Sequence, residues 1–237
     1  MPIMILVRHG RTEANARGVL AGRSKGVHLD DVGRDQAAAV ARRLAKVPLA
    51  AVVTSPMERT QQTARVIVRA QDGETELHRD RFLTECDYGE WTGRPIKELA
   101  RLKLWKTVQS HPSAVVFPGG EAMVAMQSRA VAAARAWDTR VAESHGPNAC
   151  FAVVSHGDVI KSILADATGM HLDQFQRLVV APASVSVVEY AELRPVVLHV
   201  NDSGSDLGGL VRAKARRRRA TGDATIGGGV GVGSVET

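Results

Sequence analysis

Residues 3–10 decide the fold, and they read Ile-Met-Ile-Leu-Val-Arg-His-Gly. The first five of these residues are apolar, as expected of a β-strand that is buried on both faces of a parallel sheet. Two later runs, Leu49–Thr54 and Cys150–Val154, have the same short apolar form. A serine follows each of them, Ser55 after the second run and Ser155 after the third. We therefore predict three buried strands, each leading directly into polar residues.

Amphipathic stretches alternate with these runs, which is the pattern of βαβ units on a mainly parallel sheet. The sequence Ser-Pro-Met-Glu at residues 55–58 resembles a capping box, so we predict a helix from Pro56 to Arg69. Residues 72–94 are predicted to be irregular. We predict further helices at Asp31–Leu44, capped by Asp31, and at Pro95–Val108, Glu121–Glu143 and Asp158–Ala167, with later strands at Ser184–Tyr190 and Pro195–Val200.

The 237 residues are enough for one sizeable α/β domain. With 44% apolar and 24% charged residues, the composition is typical of a soluble globular protein. No apolar run approaches the roughly 20 residues that a membrane helix needs. The apolar start also lacks the preceding basic stretch of a secretory signal, so we expect a cytoplasmic protein. Cys86 and Cys150 are far apart, and we expect no disulfide.

The net charge of +6 is concentrated near the carboxyl end of the chain. Residues 211–237 contain six basic and two acidic residues, which leaves 25 basic and 23 acidic residues in 1–210. The composition after residue 203 is first basic and then rich in glycine, with little apolar area to bury. We predict that residues 204–237 form a mostly disordered tail. Nucleic acid is expected as a partner only if this basic tail recruits it.

Chemically suggestive residues follow all three buried strands. Arg8 and His9 end the first strand, Arg59 follows the second, and His156 follows the third. Ligands of open parallel sheets bind outside the carboxyl ends of the strands, where these side chains should converge. Arginine forks and helix N-termini suit a phosphate dianion. Each residue taken alone also has a structural interpretation, and periodicity alone leaves an anion site and a structural role equally open.

Several blocks together resemble the histidine phosphatase (phosphoglycerate mutase-like) superfamily. Residues 6–15 (Leu-Val-Arg-His-Gly-Arg-Thr-Glu-Ala-Asn) are similar to its first signature, residues 55–64 (Ser-Pro-Met-Glu-Arg-Thr-Gln-Gln-Thr-Ala) to its second and residues 154–157 (Val-Ser-His-Gly) to its third. Residues 83–93 carry Glu85 where the family has its acid–base carboxylate. The resemblance covers about residues 4–200. It implies a three-layer sandwich with a mainly parallel central sheet flanked by helices, and we expect this domain to occupy residues 1–203.

The resemblance also implies a role for each site residue. His9 would attack phosphorus to form a phosphohistidine, with its other ring N–H donated to a backbone carbonyl. Glu85, with its pKa raised by desolvation, would protonate the leaving oxygen and then activate water. The implied catalytic residues are Arg8, His9, Arg59, Glu85 and His156, and the implied phosphate-binding residues are Arg8, Asn15, Arg59, His156 and Gly157. No metal and no cofactor is implied, because the two guanidiniums supply the positive charge.

Three functions stay open at this point. A phosphatase is favoured over a cofactor-dependent mutase, because Cys86 follows Glu85 where mutases usually carry an arginine, and because residues 89–93 (Gly-Glu-Trp-Thr-Gly) resemble the phosphatase branch. A phospholigand-binding module without turnover is disfavoured because all the expected catalytic residues are present. The expected substrate is a small phosphorylated metabolite of unknown identity. The sequence leaves the oligomeric state open, including a homo-oligomer.

Overall fold

A computed structural model describes residues 1–204 of the chain. Six strands of this part form one sheet: β1 (Ile3–Arg8), β2 (Leu49–Thr54), β3 (Glu76–Arg79), β4 (Cys150–Ser155), β5 (Val185–Tyr190) and β6 (Pro195–Asp202). Their order is β3-β2-β4-β1-β5-β6; the first four are parallel to one another, β5 pairs antiparallel with β1, and β6 pairs antiparallel with β5. The predicted mainly parallel sheet is confirmed. The predicted tail lies, apart from Gly204, outside the described residues.

Helices cover both faces of the sheet. They are α1 (Glu13–Ala16), α2 (Asp31–Leu44), α3 (Glu58–Arg69), α4 (Ile96–Leu99), α5 (Lys103–Ser110), α6 (Met123–His145) and α7 (Gly157–Ala167), with short 3₁₀ turns at Arg81–Leu83, Gly89–Trp91, Pro112–Ala114 and Leu172–Arg177. No helix within residues 1–204 is both long and apolar enough to cross a membrane.

Strand β1 divides its side chains between two apolar cores. Met4 and Leu6 pack into the larger core, which contains buried residues of α6 and α7, while Ile5 and Val7 pack into a smaller core that contains residues of α2 and α3. Successive side chains of a strand point to opposite faces, so an uninterrupted apolar run can bury both faces at once. The three layers implied by the resemblance are therefore present.

The predicted helix at Asp31–Leu44 has these bounds in the structure, although its N-cap is Asp30 rather than Asp31. The predicted helix at Pro95–Val108 is wrong as a single element, because Leu102 has extended backbone and separates α4 from α5. Apolar residues spaced only three apart drift around a helix, whose period is 3.6. The break lets Leu102 pack against the larger core.

Strand β3 lies inside the stretch that was predicted to be irregular. Its sequence, Glu-Leu-His-Arg at residues 76–79, has no apolar alternation, and its residues are exposed or half-buried. It is an edge strand that pairs only with β2 in this sheet. Edge strands are often short and charged, which limits unwanted pairing and also removes the pattern by which a strand is recognised.

Candidate active site

The sheet brings the residues after β1, β2 and β4 to one edge, as predicted. Arg8 at the end of β1 pairs in register with Ser155 at the end of β4, and the backbone N–H of His9 donates to the Ser155 carbonyl at 3.0 Å. The rings of His9 and His156 consequently lie edge to face, with centroids 5.3 Å apart. Arg59, in the first turn of α3, reaches both rings. We call Arg8, His9, Arg59 and His156 the strand-end group.

Both ring nitrogens of His9 are in hydrogen bonds, Nδ1 with the Gly10 carbonyl and Nε2 with the Arg59 guanidinium. Its Nδ1 lies 2.7 Å from the Gly10 carbonyl oxygen, which can only accept, so Nδ1 carries the proton and Nε2 carries the lone pair. The expected backbone carbonyl partner is thus confirmed. Arg59 Nε approaches His9 Nε2 at 3.3 Å. Burial, followed by the charges of Arg59 and Arg8, holds the pKa of His9 well below 6.5 and keeps the ring neutral.

Arg59 is buried and only partly satisfied by the protein. Its Nη2 donates to the Gly22 carbonyl at 2.7 Å and to His156 Nδ1 at 3.2 Å. Its Nη1 is buried without a hydrogen-bond partner in the part of the chain that the structure describes. A buried N–H group without a partner is costly, so this donor indicates a position for an acceptor that the protein itself does not provide.

His156 uses both ring nitrogens within the site. Because Nδ1 accepts from Arg59, the proton lies on Nε2, which donates to the hydroxyl oxygen of Ser55 at 2.8 Å. Burial and the Arg59 charge lower the pKa of His156 well below 6.5, so this ring is neutral as well. The predicted capping box is therefore wrong: Ser55 orients His156, and α3 begins at Glu58 with Met57 as its N-cap.

Arg8 adds a second buried cation to this edge. It is fully buried, and its Nη1 donates to the Val180 carbonyl at 2.7 Å. Burial lowers its pKa to about 10, against the opposing charges of Glu85 and Asp158. The guanidinium therefore remains charged at neutral pH. Two buried arginines beside two neutral imidazoles make this edge of the sheet strongly positive and suited to a dianion.

Glu85 lies in residues 81–92, which we call the Glu85 segment. Its side chain is 3% exposed, and its Oε1 accepts from the Cys86 N–H at 2.9 Å. Burial, and then the charge of Asp158, raise the pKa of Glu85 to about 7, although Arg59 and Arg8 act in the opposite direction. The predicted upward shift is thus present. A carboxyl group with this pKa can both give and take a proton near neutral pH.

The backbone of the Glu85 segment is held by an ionic clamp formed by Arg23, Arg129 and Glu121. Arg23 Nε and Arg129 Nη2 both donate to the Glu85 carbonyl oxygen, at 2.9 and 3.1 Å. The Nη2 atoms of both arginines also contact Glu121 Oε1, at 2.9 and 2.6 Å. The Asp87 N–H donates to the same oxygen at 2.8 Å. Glu121 therefore fixes the turn that carries Glu85.

Asn15 and Gly157 complete the predicted phosphate-binding set. The side-chain oxygen of Asn15 accepts from the backbone N–H and the hydroxyl of Thr12, at 3.1 and 2.9 Å, so only its NH₂ group can serve a ligand. Gly157 is the first residue of α7 and follows His156, the N-cap of that helix. Its backbone N–H belongs to the unpaired first turn of an eleven-residue helix.

Two pairs of glycines bring backbone segments into direct contact near the site. A Cβ at Gly10 would overlap the Gly33 carbonyl, and one at Gly33 would overlap the Arg11 carbonyl. On the other side of the site, a Cβ at Gly89 or Gly120 would overlap the backbone at residues 118 and 87 respectively. These contacts fix the His9 turn against α2, and the Glu85 segment against the loop before α6.

Sequence reasoning missed several residues that shape the site. Ser55 was given to a helix cap, and Asp158 was seen only as a helix start. Arg23 gave no signal, because a single arginine in a loop is usually a solvated charge.

Among residues 1–204, no three His, Cys, Asp or Glu side chains are grouped so that they could hold a metal ion.

Comparisons with known proteins agree with this geometry. The model of the "Histidine phosphatase superfamily (branch 1)" matches residues 4–203. The chain is 30% identical over 206 residues to phosphoserine phosphatase 1 of Hydrogenobacter thermophilus, covering 84% of this chain and 91% of the relative. It is 33% identical over 164 residues to phosphoglycerate mutase-like protein 4 of Arabidopsis thaliana, covering 68% of each.

Solved structures share the fold. Bacillus stearothermophilus YhfR superposes with a TM-score of 0.76 at 25% identity, covering 85% of this chain and 98% of that one. The match to the family model extends over nearly all the described residues. The chain therefore belongs to the histidine phosphatase superfamily, branch 1, and is a phosphatase enzyme of that family.

Proposed function

We propose that the protein hydrolyses a phosphomonoester of a small metabolite through a phosphohistidine intermediate on His9. The observation that carries this proposal is the arrangement around Nε2 of His9. This unprotonated nitrogen accepts a hydrogen bond from Nε of the buried Arg59 at 3.3 Å, and Nη1 of the same guanidinium is without a partner among the described residues. A phosphoryl oxygen bound to Arg59 Nη1 would bring phosphorus to the nucleophile.

In the first step, the lone pair of His9 Nε2 forms a bond to phosphorus, and the ester P–O bond breaks. The leaving oxygen takes the proton of the Glu85 carboxyl group and departs as an alcohol. Arg8, Arg59, Asn15 and the Gly157 N–H hold the non-bridging oxygens and stabilise the charge of the transition state. His156 joins them in the tautomer that carries the proton on Nδ1, with the Ser55 hydroxyl donating to Nε2. The Gly10 carbonyl accepts a hydrogen bond from Nδ1–H and so supports the positive charge that develops on the ring.

In the second step, a water molecule attacks the phosphorus of phosphohistidine. Its proton passes to the Glu85 carboxylate as the P–N bond breaks, so phosphate leaves and both His9 and Glu85 return to their starting states. A pKa of about 7 suits Glu85 to both steps, because the group must give a proton and later take one.

We infer that this cycle needs no metal and no cofactor, because the charges of Arg8 and Arg59 can take the place of a Lewis acid. The measurement is turnover after exhaustive treatment with EDTA. Full activity is expected, and loss of activity that Mg²⁺ or Zn²⁺ restores would contradict the metal-free cycle.

A small phosphorylated metabolite is supported by the names of the relatives, one of which is a phosphoserine phosphatase. The mutase-like relative from Arabidopsis keeps phosphoryl transfer between two substrate hydroxyls as a second candidate. Net release of phosphate from phosphoserine or 3-phosphoglycerate would support hydrolysis. Conversion of 3-phosphoglycerate to its 2-isomer in the presence of a bisphosphorylated cofactor would support the mutase.

The decisive experiment is a turnover screen of phosphorylated metabolites with the wild type, His9→Ala and, as a matched control, His28→Ala. His28 is exposed, and its ring contacts the Gln62 side chain. We expect acid-labile phosphoenzyme and phosphate release in the wild type and the control, and neither in His9→Ala. Equal activity in all three proteins, or binding of phosphorylated ligands without turnover, would overturn the proposal. The disordered tail and the cytoplasmic location stay predictions, and the oligomeric state stays open.

A further inference from the structure

Asp158 is a fully buried acid at the start of α7 that the proposed cycle does not use. It follows His156 by two residues, and the hydroxyl of Tyr88 donates to its Oδ2 at 2.7 Å. Tyr88 is fully buried as well and belongs to the Glu85 segment. This hydrogen bond therefore joins the helix that begins beside His156 to the segment that carries Glu85. A second bond, from the Ser155 hydroxyl to the Leu83 carbonyl at 2.8 Å, joins the end of β4, just before that helix, to the same segment.

A buried cation accompanies this acid. Lys161 lies one helical turn after Asp158, and its Nζ is 3.8 Å from Asp158 Oδ1. Its ammonium group also donates to Gln176 Oε1 at 3.0 Å and lies 5.6 Å from the centre of the Phe175 ring. Buried ions are expensive unless they are paired, and replacing such a pair with apolar residues is often stabilising. The pair therefore calls for an explanation other than stability.

The charges around Glu85 show what Asp158 adds. Arg8 from β1 and Arg59 from α3 favour the carboxylate form of Glu85, and so does the Lys161 cation from α7. Asp158 is the acid that opposes them, while Cys86 and Tyr88 on the segment itself are held neutral by burial. Without the charge of Asp158, three cations would act on Glu85 against burial alone.

We propose that Asp158 is a positioning residue: its side chain anchors the Glu85 segment through Tyr88 and, together with Lys161, sets the balance of charges around the acid that the first step requires. This inference rests on the proposed role of Glu85. The anchor and the charge are separable, because asparagine can still accept from Tyr88 while lacking the charge, and phenylalanine at residue 88 removes the bond but leaves the charge.

The experiment compares Asp158→Asn, Tyr88→Phe and, as a matched control on the same helix, Asp166→Asn. Asp166 is part of a surface ion pair with Arg135. The first readout is independent of turnover: the carboxyl carbon of Glu85 is titrated by ¹³C NMR in glutamate-labelled protein, with Glu85→Gln to assign the signal. Asp158→Asn should lower the midpoint by about one pH unit, a tenfold larger acid dissociation constant. The control should titrate like the wild type.

The second readout is the pH profile of kcat/KM. Asp158→Asn should move the alkaline limb of this profile to lower pH by about one unit. Tyr88→Phe should leave the limb in place and lower kcat about tenfold at every pH. If Asp158→Asn does not fold, as judged by its melting curve, Tyr88→Phe alone decides: wild-type kcat in that variant overturns the anchor and with it the proposal.

The outcomes separate this inference from the proposed function. An unchanged Glu85 midpoint in folded Asp158→Asn overturns the role of Asp158, even if the wild type is an active phosphatase. A lowered midpoint in a protein that forms no phosphohistidine would instead support the charge balance and reject the proposed function.

Discussion

The nucleophile His9 is placed by backbone hydrogen bonds of the sheet and of its own turn, whereas Glu85 is placed by side-chain contacts in addition to the close backbone contacts of its segment. His9 is fixed between the Ser155 and Gly10 carbonyls, both of them backbone groups. Glu85 depends on the ionic clamp and on the bond between Tyr88 and Asp158. The position of the residue proposed to attack phosphate therefore follows from the fold itself. The position of Glu85, which is proposed to move protons, depends on side-chain contacts that single substitutions can remove.

Glu85→Gln should give the largest loss in the second of these regions. The amide cannot donate a proton to the leaving group or take one from water, so we expect kcat to fall by about 10² to 10⁴. Phosphohistidine should still form, slowly, because the strand-end group is intact. Rapid-quench labelling measures this step, with Glu90→Gln on the same segment as an exposed control. If Glu85→Gln formed no phosphohistidine at all, the expectation that the strand-end group can be phosphorylated without the Glu85 carboxyl group would be wrong.

Arg59→Met tests the first region directly. Methionine keeps much of the side-chain volume but removes the guanidinium that contacts His9 and His156, so we expect kcat to fall by about 10² to 10³. The control is Arg65→Met, which changes an exposed arginine on the same helix. Steady-state kinetics of both variants check the expectation. Loss only in KM would mean that Arg59 binds ground state and transition state equally.

The pH dependence of kcat/KM sharpens the comparison, because one region supplies the nucleophile and the other supplies the acid. His9 must be neutral, and its pKa lies well below 6.5, so activity should persist on the acid side of pH 6.5. Glu85 must be protonated, and its pKa is about 7, so activity should fall above about pH 7. The alkaline limb of the kcat profile should lie at higher pH than that of kcat/KM, because a bound phosphate dianion disfavours the carboxylate form of Glu85. A profile that rises continuously through pH 8 would contradict both assignments.

Arg23→Ala should have the smallest of these effects. It removes one of the two arginines that hold the Glu85 carbonyl, while Arg129 remains, so we expect about a tenfold loss in kcat and little change in the melting temperature. The matched control is Arg17→Ala, whose ion pair with Glu13 is exposed. Kinetic parameters identical to those of the control would show that the clamp does not position Glu85.

The sequence predicted the strand-end group well, because buried parallel strands have a strong apolar signal and their ends share one edge of the sheet. His9, Arg59 and His156 were brought together by topology alone. The Glu85 segment gave no such signal: its short turns have no periodicity, and Glu85 was identified only by resemblance. Ser55 was misread because a serine before a proline fits a local cap, while its actual partner, His156, is 101 positions away. Contacts of this range depend on the folded topology.

The glycine pairs at residues 10 and 33 and at residues 89 and 120 set a limit on how this enzyme can be varied. In a saturation library, alanine at any of these positions would force two backbone segments apart and displace His9 or Glu85 with them. Such variants would lose activity as completely as variants of the nucleophile, although glycine has no reactive group. Inactive variants in such a library would therefore identify the glycines at close backbone contacts as well as the reacting residues. Only an assay of phosphoenzyme labelling would distinguish the two classes.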